Sequence, residues 1–166
     1  MSNHKKIEVT SRSGFTVLEA MAAIFVVTVG MIGAFGLITQ IVSFSRTSAN
    51  QVTAVYLAQE GVELVRNIWD TNLLLIDAGF LRRDDWTNGL NDCAVGCEID
   101  YNDSPPFDAS YSEEKLKIGG GFYNYDTGSE ETLFKRKITV TKPSADLMAV
   151  KVEVFWEEKG VAKIVG

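Results

Sequence analysis

The sequence predicts an α+β fold in which one long N-terminal helix packs on a small antiparallel β-sheet. Three observations predict this class. No charged residue lies between Glu19 and Arg46, a run of 26 residues. No proline interrupts residues 15–70, so a single helix can continue through them. The last third of the chain alternates apolar and polar residues, which is the period of β-strands.

The first half of the predicted helix, residues 15–44, is long and apolar enough to cross a bilayer. At ~1.5 Å per residue it spans about 45 Å, against a hydrocarbon core of ~30 Å. The polar segment before it carries Lys5, Lys6 and Arg12 against Glu8. This positive flank predicts a cytoplasmic N-terminus and an extracytoplasmic remainder. A secretory signal peptide is disfavoured, because its apolar core is only ~7–15 residues long.

Beyond Arg46 the predicted helix becomes amphipathic. Apolar residues recur at steps of three and four from Ala54 to Trp69, and charged residues occupy the other side. The predicted helix therefore covers residues 15–70, and a head follows at residues 71–166. The head divides into a loop region at 71–131, rich in Gly, Asp, Asn and Ser, and a β-sheet at 132–166.

The predicted sheet contains three antiparallel strands. Phe134, Ile138 and Val140 share one face of the first strand. A turn at residues 143–146 precedes a second strand that alternates from Val150 to Trp156, and a third strand covers residues 161–165. Residues 122–125 are a candidate fourth strand. The apolar faces can cover the amphipathic half of the helix.

The junction between the polar segment and the apolar run carries the most specific motif. Residues 13–19 read SGFTVLE. This motif resembles the class III signal of type IV pilins and of the pseudopilins of type II secretion. The resemblance implies that residues 1–14 are a cytoplasmic leader, and that a prepilin peptidase cuts after Gly14 and N-methylates Phe15. It also implies that Glu19 pairs with the N-terminal amine of a neighbouring subunit during assembly.

Glu19 has two interpretations. A carboxylate in an apolar helix costs about 2–3 kcal/mol on insertion scales, and less near an interface. Either the charge is paired after assembly, as the resemblance implies, or an unpaired Glu19 reaches the cytoplasmic surface. Glycines at positions 30, 33 and 36 resemble the interrupted helix of V-type minor pilins and I-type pseudopilins, and equally fit ordinary small-residue packing in lipid.

Cys93 and Cys97 lie in the loop region, where the sequence permits either a disulfide or two free thiols. Outside the cytoplasm two neighbouring cysteines can form a disulfide, which here closes a five-residue loop. Acidic and amide side chains cluster nearby without the spacing of an EF-hand, so a solvated acidic loop is favoured over a calcium site. These residues are Asp92, Glu98, Asp100, Asn102 and Asp103.

Composition excludes several classes of function. The formal net charge is −6, and no basic cluster interleaves with aromatic residues, so nucleic-acid binding is not predicted. The chain has one histidine, His4, which excludes histidine-based triads and multi-histidine metal sites, and its two cysteines do not make a zinc site. No catalytic residue, metal or cofactor is predicted, and the protein is not expected to be an enzyme.

The resemblance implies a structural subunit, a minor pilin of a type IV pilus or related filament. The implied partners are the prepilin peptidase, other pilin subunits through the N-terminal helix, the inner-membrane assembly platform and membrane lipid. The protein is expected to be a single-pass membrane protein with an extracytoplasmic head, and after processing to lie in a surface filament or pseudopilus. The alternatives are a pseudopilin of a type II secretion system and a membrane-anchored binding module that forms no filament.

Overall fold

The computed structural model describes residues 14–103, 110–126 and 130–166, and these have the predicted α+β class. The leader predicted at residues 1–14 lies outside the described residues except for Gly14. The chain divides into two compact units, Met1–Ser45 and Arg46–Gly166, which are considered separately.

Helix α1 covers Val17–Asp77, and its first part is the whole described secondary structure of the first unit. All of residues 14–42 are exposed, including large side chains such as Phe25 and Phe35. Within the described residues, α1 is the one helix long and apolar enough to cross a membrane. A helix that is apolar on every side and unburied fits a lipid environment.

The helix continues beyond residue 70, where the sequence analysis predicted its C-terminal end, because apolar residues continue through Leu75 and Ile76. It ends at Asp77, and Gly79 then adopts a φ of 80°, which a residue without Cβ tolerates. The Gly79 N–H donates to the carbonyl of Ile76 at 3.1 Å, and the Phe80 N–H donates to that of Leu75 at 2.8 Å. These two bonds form a Schellman motif, which satisfies the last carbonyls of the helix.

The second unit contains six strands in two antiparallel sheets. In chain order they are β1 (Lys117–Gly119), β2 (Phe122–Asn124), β3 (Glu130–Glu131), β4 (Lys135–Ser144), β5 (Leu147–Glu158) and β6 (Val161–Val165). The larger sheet has the order β4-β5-β6, which confirms the three predicted strands. The β5–β6 turn consists of Lys159 and Gly160, with φ values of 54° and 74°, as a two-residue hairpin requires.

The candidate fourth strand belongs to the smaller sheet, whose order is β2-β1-β3, so its placement beside the other three was wrong. Gly120 and Gly121 both have positive φ and connect β1 to β2, with Gly119 opposite Phe122. Closing the short loop between β1 and β2 costs little conformational entropy. Pairing of β2 with β1 is therefore favoured over pairing with the larger sheet, which is more distant in sequence.

The core of the second unit lies between α1 and the large sheet. One cluster contains Val65, Ile138 and Val152, and a second contains Leu57, Val154 and Trp156. The helix lies close to β5 at Gly61, where an added Cβ would lie 2.8 Å from Cγ1 of Val152. A glycine in mid-helix is therefore required by packing, although it lowers helix propensity.

Cys93 and Cys97 form a disulfide, which confirms the first of the two alternatives. Both residues are buried in the first core cluster. The Cys97 N–H donates to the Ile138 carbonyl at 2.8 Å, and the Ile138 N–H donates to the Cys97 carbonyl at 3.0 Å. The disulfide loop is thus fixed to the outer edge of β4.

Reduction of this disulfide should lower the free energy of unfolding of the second unit by about 2 kcal/mol, the loop-entropy value for a five-residue loop. The measurement is urea unfolding of the full chain in detergent, followed by tryptophan fluorescence, with and without reductant. The control is the double variant Cys93→Ser, Cys97→Ser, which reductant should not affect. An unchanged unfolding midpoint for the reduced wild type would contradict the expectation.

Candidate functional site

The predicted processing residues lie immediately before α1. Gly14, Phe15 and Thr16 are not helical, all three are exposed, and Phe15 is 75% exposed. The helix begins at Val17, two residues later than the sequence predicted. The peptide bond between Gly14 and Phe15 is therefore in accessible, non-helical backbone.

Thr16 determines where the helix begins, a role the sequence analysis missed. The Glu19 N–H donates to Oγ1 of Thr16 at 3.2 Å, and the Ala20 N–H donates to the Thr16 carbonyl at 3.1 Å. These are the two bonds of an N-cap residue. The sequence signal was present, because a threonine three residues before a glutamate is the pattern of a capping box.

Glu19 lies in the first turn of α1, where the helix dipole favours a negative charge. Within the described residues its carboxylate has no hydrogen-bond or ion-pair partner. The dipole supplies a local stabilisation that is independent of any second chain. It does not replace a counter-charge, so both interpretations of Glu19 remain predictions.

The polar groups of the apolar segment are partly satisfied within the helix. The hydroxyl of Thr28 donates to the Ile24 carbonyl at 2.7 Å, and that of Thr39 donates to the Gly36 carbonyl at 2.8 Å. Such bonds to the preceding turn let a hydroxyl lie in an apolar environment. Apart from the neighbouring backbone of the helix itself, a Cβ added at any of the glycines 30, 33 or 36 would meet no atom of the described residues within 4 Å, so the helix surface beside them is open.

In the second unit, Arg136 is fully buried and connects three parts of the fold. Its Nη2 donates to the Ile99 carbonyl at 2.7 Å, and its Nη1 donates to the Leu57 carbonyl at 3.3 Å. Nη1 also lies 3.3 Å from a carboxylate oxygen of Glu60. One side chain on β4 thus joins helix α1 to the loop that follows the disulfide.

Two carboxylates of the predicted acidic loop are buried, so their assignment as solvated was wrong. Glu98 accepts hydrogen bonds from the Ser112 hydroxyl at 2.8 Å and from the Glu114 N–H at 2.9 Å. Asp100 accepts one from the Tyr125 N–H at 2.8 Å. Burial is tolerated because N–H and O–H donors solvate the charges in place of water. Among the described residues, no group of three or more His, Cys, Asp or Glu is placed to hold a metal ion.

Burial raises the pKa values of Asp103 and Tyr125. Partial burial raises the pKa of Asp103 above its ordinary value of 3.8, and the Asp100 N–H that it accepts at 2.8 Å opposes the rise. Burial also raises the pKa of the Tyr125 hydroxyl, which donates to the Arg136 carbonyl at 3.3 Å. The Tyr125 hydroxyl, which is neutral at physiological pH even at its ordinary pKa, thus stays a hydrogen-bond donor over a wider pH range.

Asp103→Asn should stabilise the second unit at about pH 7, by less than about 1 kcal/mol because Asp103 is exposed and solvent screens its charge. A carboxyl with a raised pKa binds more protons in the folded state, so its charge lowers stability as pH rises above the ordinary value. Asparagine removes that charge and keeps an acceptor for the Asp100 N–H.

The measurement for Asp103→Asn is the urea midpoint at about pH 7 and about pH 4, between which the gain should shrink as the wild-type carboxyl protonates. Asp92→Asn, at an exposed position, is the charge-matched control and should not reproduce the pattern. A gain that is equal at both pH values would show that desolvation of Asp103 is not its cause.

The predicted site residues fall into two groups. Gly14, Phe15 and Glu19 lie together at the start of the first unit's helix, and Cys93 and Cys97 lie together in the second unit. No protein-family model, curated protein or solved structure matches the chain. Function is therefore inferred from the junction, the apolar helix and the sheet on which the second part of that helix packs.

Proposed function

We propose that this protein is a structural subunit of a type IV pilus or a related filament, most similar to a minor pilin. It is made as a single-pass membrane precursor with a cytoplasmic leader at residues 1–14. A prepilin peptidase removes that leader and methylates Phe15. The observation that carries the proposal is the motif at residues 13–19, at the start of a helix whose residues 14–42 are exposed throughout.

In this proposal the apolar half of α1 has two successive environments. Membrane lipid covers it in the precursor, and helices of other pilin subunits cover it after the inner-membrane assembly platform transfers the subunit into the filament. The exposure of residues 14–42 and the open surface beside glycines 30, 33 and 36 support contacts of this kind. The second unit then lies outside the membrane.

The carboxylate of Glu19 stabilises the assembled filament by pairing with a positive group on a neighbouring subunit. This carboxylate has no partner among the described residues, and lipid makes an unpaired charge unfavourable. The new amine of Phe15 on a neighbouring subunit is a positive group created only by leader removal. Pairing between the two links processing to assembly, because an uncleaved subunit has no amine at that position.

The second candidate is a pseudopilin of a type II secretion system, which the glycine spacing at 30, 33 and 36 also resembles. Both candidates share leader removal, the membrane anchor and assembly through the helix, and they differ in where the filament lies. In either role the protein is the substrate of the peptidase and not an enzyme. A simple anchor for a binding module would need neither the Gly14–Phe15 junction nor Glu19.

The test is to follow the chain between membrane and sheared surface filaments in its native host. The processed protein should appear in the sheared fraction, and deletion of the prepilin peptidase should leave it entirely in the membrane at its precursor mass. A processed chain confined to the cell envelope unless overproduced would favour the pseudopilin. A chain that stays in the membrane, with unchanged mass whether or not the peptidase is present, would reject both candidates.

A further inference from the structure

We propose that Thr16 is a positioning residue for leader removal. By capping the helix, it fixes the start of α1 at Val17 and keeps the Gly14–Phe15 peptide bond outside the helix. The inference rests on the proposed function and adds to it a reason why the bond is open to the peptidase. It concerns the rate of cleavage, whereas the proposed function concerns whether cleavage occurs.

The geometry at the helix start supports this role. Oγ1 of Thr16 accepts the Glu19 N–H at 3.2 Å, which satisfies one of the four N–H groups that a helix N-terminus leaves unpaired. The Thr16 carbonyl accepts the Ala20 N–H at 3.1 Å. A residue whose side chain accepts a hydrogen bond from the backbone N–H three residues later is the N-cap, which marks the boundary of the helix. Gly14 and Phe15 precede this boundary and are non-helical.

The position of this boundary matters for the reaction. Hydrolysis breaks the bond between the Gly14 carbonyl carbon and the Phe15 nitrogen, and water supplies the oxygen of the new carboxylate and a proton of the new amine. Attack requires the Gly14 carbonyl to be reachable. In a helix extended toward the N-terminus that carbonyl would instead accept the Leu18 N–H and turn along the helix axis.

The sequence offers an alternative start that the Thr16 cap competes against. Ser13 is the nearest earlier residue whose side chain could cap a helix. A helix that began there would include both residues of the scissile bond in its first turn. Without the Thr16 hydroxyl, α1 begins at different residues in different molecules. The form in which the Gly14–Phe15 bond lies outside the helix then becomes a smaller fraction of the population.

The experiment uses the full-length chain in detergent micelles with a purified prepilin peptidase, and mass spectrometry follows the product that begins at Phe15. Thr16→Val keeps the branched shape and removes the hydroxyl, whereas Thr16→Ser keeps the hydroxyl. Thr16→Val should lower kcat/KM about fivefold, which is the population shift that corresponds to the usual loss of helix stability when a cap is removed, and Thr16→Ser should restore it. Amide exchange at Glu19 should accelerate in the valine variant and recover in the serine variant.

Thr28→Val is the matched control, because it removes another hydroxyl of the same helix, one that donates to the Ile24 carbonyl. It should be cleaved like the wild type. Equal rates for Thr16→Val and wild type, or a serine variant as slow as the valine variant, would overturn the positioning role. Failure of the peptidase to cut the wild type would instead overturn the proposed function, so the two failures are distinguishable.

Discussion

Arg136→Ala should destabilise the second unit by about 3–5 kcal/mol, because it removes a fully buried side chain together with the hydrogen bonds that it donates. The substitution leaves the Ile99 carbonyl without its 2.7 Å donor and removes the counter-charge of Glu60. It also opens a cavity between α1 and β4, because the arginine side chain is fully buried. Each of these three losses lowers the free energy of unfolding of the second unit.

The measurement is urea unfolding of the full chain followed by tryptophan fluorescence. Arg136→Met keeps most of the apolar volume and should recover part of the loss, which separates the cavity from the lost hydrogen bonds. Lys151→Ala, at an exposed position on the neighbouring strand, is the control and should change stability little. If the Arg136 and Lys151 variants unfolded at the same urea concentration, the buried network would not hold the helix to the sheet.

Glu19→Ala should insert into the membrane and lose its leader, yet be nearly absent from filaments. Removal of a carboxylate favours insertion of an apolar helix, so an anchor alone would gain from the change. If Glu19 pairs with the Phe15 amine of a neighbour, the variant leaves that amine buried without a counter-charge. An unmatched buried charge costs about 3–5 kcal/mol, more than a hundredfold in an assembly equilibrium.

The assay for Glu19 compares the membrane fraction and the sheared filament fraction of wild type and variant. Glu63→Gln is the matched control, since Glu63 is an exposed carboxylate on the same helix and its ion-pair partner among the described residues is Arg66, at 3.2 Å on the surface. That variant should assemble normally. Equal incorporation of Glu19→Ala and wild type would mean that Glu19 makes no assembly contact.

Features with a local cause could be predicted from the sequence. The uncharged run after Glu19 predicts a helix, and the apolar–polar alternation around Ile138 and Val152 predicts strands. Both predictions use only neighbouring residues, and the structure has the corresponding helix and strands. The helix start was missed by two residues because the capping pattern at Thr16 was not used. Its end was missed because Gly79, and not the first polar residue after Trp69, stops the helix.

Features that depend on distant residues could not be predicted. Arg136 interrupts an otherwise apolar strand face, and nothing near it in sequence indicates that carbonyls of Leu57 and Ile99 will receive its donors. The burial of Glu98 likewise depends on donors from Ser112 and Glu114, which reach it through the fold. A charged residue on the apolar face of a strand therefore predicts a buried hydrogen-bond network only when its distant partners are already known.

The exact mass of the mature chain tests the central claim most directly. Protein purified from its native host should begin at Phe15, and removal of the first 14 of its 166 residues should leave 152, with one added methyl group on the N-terminal amine. A chain that keeps Met1, or one cut beyond Phe44, would contradict the assignment of the junction and with it the proposed filament subunit.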